Sequence, residues 1–98
     1  MDIAIVTGAS SGLGNEFAKR LDEEGLDEIW VSARRRDRLE ALAANLKSPV
    51  KIVDGDLTDV TFIDRLRFML NKDISVRYLI NAAGYGRIGS AIDMDAIV

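Results

Sequence analysis

The segment Thr7-Gly8-Ala9-Ser10-Ser11-Gly12-Leu13-Gly14 constrains this chain more than any other. It directly follows the apolar run Ile3-Ala4-Ile5-Val6 and leads into a stretch where Leu13, Phe17 and Leu21 recur every four residues, with Ala18 beside them. An unbroken apolar run suits a parallel strand covered on both faces. The four-residue recurrence marks one apolar face of a helix, with Gly25 placed to stop it. A turn with three glycines and two serines exceeds what a strand-to-helix reversal needs. Glycines let the backbone approach a pyrophosphate, and a helix N-terminus offers unpaired N–H donors at the positive end of its dipole. Ser10 and Ser11 add hydroxyl donors. The spacing Gly-x-x-x-Gly-x-Gly differs from Gly-x-Gly-x-x-Gly, and it lacks the Gly-Lys-Ser/Thr ending of a P-loop, but the physics is common to all three.

The strand-then-helix pattern repeats along the chain. Ile29-Trp30-Val31 reads as a second strand. Asp37 with Glu40 resembles a capping-box start for a helix striped by Leu39, Leu42, Ala43 and Leu46, and Pro49 lies just past its end. Val50 to Val53 reads as a third strand. Thr58 or Asp59 caps a third helix carrying Ile63, Leu66, Met69 and Leu70, and Val76 to Ile80 reads as a fourth strand. The order β-α-β-α-β-α-β implies parallel strands joined by right-handed crossovers. The fold class expected is therefore α/β: a Rossmann-like half of a doubly wound sheet, truncated after the fourth strand, with residues 1–98 as one incomplete dinucleotide-binding domain.

Composition narrows the chemistry. At 98 residues, 48% hydrophobic and 30% charged, the chain has an ordinary globular balance and the length of one domain. It holds no cysteine and no histidine, so disulfides, thiolate metal sites, a cysteine nucleophile and the commonest general base are absent from it. No metal site is expected. A net charge of −3 disfavours nucleic acid as a partner. No apolar run is long enough to span a membrane, and Met1-Asp2-Ile3-Ala4 has no basic leader, so a cytoplasmic protein without membrane contact is expected.

Thr7-Gly8 through Gly12-Leu13-Gly14 resembles the T-G-x-x-x-G-x-G signature of short-chain dehydrogenases/reductases. Asp56-Leu57 resembles that family's acidic-aliphatic pair after the third strand. Asn81-Ala82-Ala83-Gly84 resembles its N-N-A-G element after the fourth, with Ala82 where a second Asn is usual. The arginines after the second strand resemble its NADP-preferring members. The resemblance implies cofactor-binding roles for Gly8, Ser10, Ser11, Gly12, Leu13 and Gly14, for Asp56 and Leu57 at the adenine, and for Asn81, Ala82, Ala83 and Gly84 on the ribose side. The family's catalytic Ser and Tyr-x-x-x-Lys lie beyond the last of these. Tyr78 is followed four residues later by Ala82, and Tyr85 by Gly89, so no catalytic residue is assigned. By the residues alone, Asp56 and Asp59 serve equally as turn and cap residues, and Asn81 equally as an amide tying the sheet end. Asp54, two residues too early, is set aside. Gly84-Tyr85-Gly86-Arg87-Ile88-Gly89 matches Gly-x-Gly-x-x-Gly but is read as a coincidental loop.

The arginines point to the nucleotide. An NAD site places an acid about 20 residues after the glycine loop, where it holds the ribose 2′-OH. Counted from Gly14, that place falls near Ala33, and no acid stands there; Arg34, Arg35, Arg36 and Arg38 follow instead. Arginines near a helix N-terminus oppose its dipole, so helix propensity does not explain them. A 2′-phosphate does, since guanidinium holds it bidentately and stacks on adenine. Arg34 is the first candidate and Arg35 the second, with Arg36 and Arg38 facing solvent. NADP is therefore expected rather than NAD.

The function expected is the NADP(H)-binding part of an oxidoreductase moving hydride between nicotinamide and a carbonyl/alcohol carbon. The alternative is a non-catalytic nucleotide-binding module or sensor. A sugar-nucleotide epimerase would favour Gly-x-x-Gly-x-x-Gly, and position 11 is Ser. With no fifth strand in the sequence, the fourth should present an open edge, and self-association through it or the Gly84–Val98 tail is expected.

Overall fold

The computed structural model describes residues 1–55 and 59–82. Four parallel strands, β1 (Asp2–Thr7), β2 (Glu28–Ser32), β3 (Val50–Ile52) and β4 (Ser75–Asn81), lie in the order β3-β2-β1-β4. Helices α1 (Gly12–Leu21), α2 (Arg36–Ala44) and α3 (Val60–Met69) connect them in sequence. The order reverses direction between β1 and β4, which makes the ends of these two strands the switch point of a doubly wound sheet.

The apolar run in β1 explains the layering. Ala4 and Val6 pack with Ala18, Leu21, Leu39 and Leu42 on the face covered by α1 and α2. Ile3 and Ile5 pack with Trp30, Val53 and Phe62 on the face covered by α3. Every side chain from Ile3 to Val6 is buried because both faces are covered, so no polar alternation is possible.

Three local details depart from the sequence pattern. The buried face of α1 is Gly14, Ala18 and Leu21 rather than the Leu13–Phe17–Leu21 stripe, because small residues let the helix approach the sheet; Leu13 is exposed and Phe17 half-buried. The N-cap of α2 is Arg35 with no side-chain cap, so Asp37 sits inside the first turn instead of capping it. Helix α1 ends at Leu21, and Gly25 closes the following turn at φ 71°. Of the two candidate caps for α3, Asp59 is the one used, its carboxylate accepting the Thr61 N–H at 2.8 Å.

Among the described residues β4 pairs only with β1. The register steps between Ile3 and Ala4, opposite Val76 and Tyr78, leaving Arg77 as a bulged residue. Arg77 reaches Asp2 at 3.8 Å, and the Tyr78 hydroxyl donates to Glu24 at 2.8 Å.

Asp22 ties the end of α1 to the α2–β3 connection. Its carboxylate accepts from the backbone N–H of Lys47 at 2.9 Å and of Ser48 at 2.8 Å. Burial raises its pKa, but these hydrogen bonds outweigh that and hold it below the ordinary value. A depressed native pKa stabilises the fold above the unfolded pKa and stops doing so as pH falls through the native one. Asp22→Asn should therefore lower stability by about 1 kcal/mol at neutral pH. The deficit should close in acid, where Asp22 is itself protonated; urea unfolding at the two pH values checks this.

Candidate functional site

The loop from Thr7 to Gly14 is set by two glycines. Gly8 takes φ 68°, which turns the chain out of β1 at a conformation side chains disfavour. Gly14 lies so close to the turn that a Cβ there would collide with the Gly8 carbonyl oxygen and stand 2.8 Å from the Ala9 Cα. The loop is pinned to the end of β2 by the Ala9 N–H on the Ser32 carbonyl at 3.0 Å. Ser11 is the N-cap of α1: its Oγ accepts the Gly14 N–H at 3.1 Å and donates to the Gly8 carbonyl at 2.8 Å. The Ser11 hydroxyl is thus a structural tie within the loop.

Gly12 stands apart. It has no positive φ, and a Cβ at this position would meet nothing within 4 Å. It occupies an exposed first-turn position, where glycine is a poor helix former. Among the described residues no hydrogen bond takes the N–H of Gly12 or of Leu13. Open space beside N–H groups without a described partner at a helix N-terminus is a geometry that suits an anion. Ser10, half-buried, and exposed Leu13 border it.

On the other side of β1, Thr7 and Asn81 are register partners at the strand ends. The Thr7 hydroxyl lies 3.0 Å from Asn81 Oδ1 and 3.3 Å from the Ile80 carbonyl, as donor to both. Asn81 therefore ties β4 to β1 at the switch point, with buried Ala82 next to it. Thr7 was legible as the first residue of the glycine-loop signature; its pairing with Asn81 needs the β1–β4 register.

Beyond β2, Arg34, Arg35 and Arg36 are all exposed. Arg35 pairs with Asp37, Nη2 to Oδ2 at 3.1 Å and Nε to Oδ1 at 3.3 Å. The hydrogen bond to Asp37 raises the Arg35 pKa, and the same bond holds the Asp37 carboxyl below its usual value. Arg36 does more than face solvent: it reaches Glu40 at 3.1 Å and Asp54 at 2.9 Å. Asp54, set aside on spacing, is thus part of the rim. Asp56, Leu57, Ala83 and Gly84 lie outside the described residues. No cluster of metal-ligating side chains occurs among the described residues.

Residues 2–97 match the short chain dehydrogenase family model. The chain belongs to the short-chain dehydrogenase family. It is 36% identical over 83 residues to an uncharacterized oxidoreductase from Staphylococcus epidermidis, covering 84% of this chain and 36% of that protein. It is 37% identical over 86 residues to a fatty acyl-CoA reductase from Acinetobacter baylyi, covering 84% and 29%. Its fold matches a short-chain dehydrogenase from Sphingobium yanoikuyae in complex with NADPH, with TM-score 0.70 and 31% identity, over 81% of this chain and 32% of that one. The chain thus spans about a third of the length of its curated relatives. The doubly wound parallel fold expected from the segment alternation is the fold of these short-chain dehydrogenases.

Because the Ser11 hydroxyl closes the N-terminus of α1, Ser11→Ala should destabilise the protein by about 1 kcal/mol. Chemical unfolding beside the parent measures it.

Proposed function

We infer that this chain is the NADP(H)-binding part of a short-chain oxidoreductase acting on a carbonyl/alcohol substrate, with residues 1–98 as its dinucleotide-binding unit. Gly12 carries the reading. The fold requires Gly8 for its φ and Gly14 for close approach, but nothing in the fold requires Gly12. A pyrophosphate lying on the N–H groups of Gly12 and Leu13 does require it, because a side chain there would hold the ligand off.

The residues fit a dinucleotide along the C-terminal ends of the strands. Gly12 and Leu13 would take the pyrophosphate, Asn81 borders the switch point, and Arg34 and Arg35, just past the end of β2, would meet the ribose 2′ substituent. The nicotinamide, when bound, supplies the hydride-carrying carbon. No acid within the stretch from Ala33 to Arg36 competes for a 2′-OH, and the guanidinium groups favour a 2′-phosphate. The NADPH complex of the Sphingobium yanoikuyae relative supports this choice. Among the described residues β4 pairs only with β1, and its other edge would serve for association with another chain or for pairing with further strands of the whole protein.

Two measurements test this reading. Gly12→Ala should leave stability unchanged or raise it by up to about 1 kcal/mol, since alanine is the better helix former. The same change should weaken NADPH and NADH together. A variant that binds both as tightly as the parent would contradict the cradle. NADPH should bind the parent more tightly than NADH, and Arg34→Ala should cost NADPH about 1.5–3 kcal/mol while sparing NADH. Energy transfer from Trp30, on the strand that leads to the arginines, reads both affinities; equal affinities in the parent would remove the arginine argument.

A further inference from the structure

The three consecutive arginines differ in how their charge is already used. Arg36 bridges two carboxylates, through Nε to Glu40 Oε1 and through Nη1 to Asp54 Oδ1. One guanidinium is here already shared between two carboxylates. A dianionic phosphate arriving there would have to displace Glu40 or Asp54. Among the described residues Arg35 shares its charge with Asp37 alone. Of Arg35 and Arg36, Arg36 is therefore the less suited to hold a 2′-phosphate.

What Arg36 does instead follows from where Asp54 lies. Arg36 opens α2, four residues after Ser32 ends β2, and Asp54 follows β3. The two strand ends are already joined past their ladder by the Val53 N–H on the Val31 carbonyl and the Gly55 N–H on the Ala33 carbonyl, both at 3.0 Å. The Asp54 carbonyl also accepts from Arg65 Nη2, and Arg65 lies over the Phe62 ring, 5.5 Å from its centroid. A Cβ at Gly55 would overlap that ring, so Phe62 presses directly on the backbone after Asp54. Asp54 is thus held at its carboxylate by Arg36, at its carbonyl by Arg65, and through its neighbour by β2. In a doubly wound domain the adenosine half of a dinucleotide lies against the end of β2, whose neighbour here is β3.

We propose that Arg36 is a positioning residue for the adenosine half of the site: it staples the start of α2 to Asp54 and so fixes the rim between β2 and β3, for either cofactor alike. The proposal rests on the reading that a dinucleotide binds here. It assigns the neighbouring arginines different work: 2′-phosphate recognition belongs to Arg34 and Arg35, and Arg36 acts only through Asp54.

The test measures binding of NADPH, NADH and reduced nicotinamide mononucleotide to the intact protein, its Arg36→Ala and Asp54→Ala variants, and the double variant. Each single change should weaken NADPH and NADH by the same factor, about threefold to tenfold. The NADPH/NADH ratio should stay at the parent's value. The double variant should bind no worse than the weaker single one, since both remove one contact. The mononucleotide, lacking adenosine, should bind all four proteins alike. A loss confined to NADPH would make Arg36 a phosphate ligand and overturn the proposal. So would unchanged affinity in Arg36→Ala, additive losses in the double variant, or an equal loss for the mononucleotide, which would signal general damage to the fold. A parent that binds neither dinucleotide would instead defeat the underlying functional reading, and that result is visible before any variant is compared.

Discussion

The approach of Gly14 to the Gly8 carbonyl is the contact on which the site depends. It brings the first turn of α1 against the end of β1, and the small buried residue Ala18 continues that approach along the helix. Because the helix starts so close to the strand, its free N–H groups open at the C-terminal edge of the sheet. The Ser11 hydroxyl spends its capacity on holding this geometry. Among the described residues nothing takes the N–H groups of Gly12 and Leu13, at the place where the sheet order reverses. A side chain at position 14 would push the helix away and move the donors with it.

Around the end of β2 the electrostatics are more finely divided than a count of arginines suggests. Asp37, Glu40 and Asp54 stand among Arg34, Arg35 and Arg36, and the ion pairs distribute the positive charge unevenly. All these groups are at least half exposed or close to it, so each pair contributes little to stability by itself. Their effect is on geometry and on local potential. They decide what Arg35 and Arg36 would each give up to meet a phosphate.

Much of the fold was legible because its signals are local. The run Ile3 to Val6 carries its own statement that both faces are covered, and the repeated strand-helix alternation dictates a parallel sheet. The glycine loop and the acid-free end of β2 marked two parts of the candidate site. Other features depended on partners distant in sequence. Leu13 and Phe17 looked like the core stripe of α1, but only the closeness of α1 to the sheet shows that Gly14 and Ala18 take that face. Asp37 looked like a helix cap because it precedes Glu40 by three, yet Arg35 holds it inside the first turn. Thr7 was legible as the start of the glycine-loop signature and Asp54 only as a residue two places too early; their contacts with Asn81 and Arg36 were not, since those partners are distant in sequence.

The central claim, that a dinucleotide lies on the N-terminus of α1 and reaches the end of β2, is tested most directly by backbone amide chemical shifts during titration with NADPH. The account predicts the largest shifts at Gly12 and Leu13, followed by Ala33, Arg34 and Arg35. Shifts gathered instead around Asp2, Glu24, Leu26 and Arg77, at the opposite ends of the strands, with Gly12 and Leu13 unmoved, would contradict it.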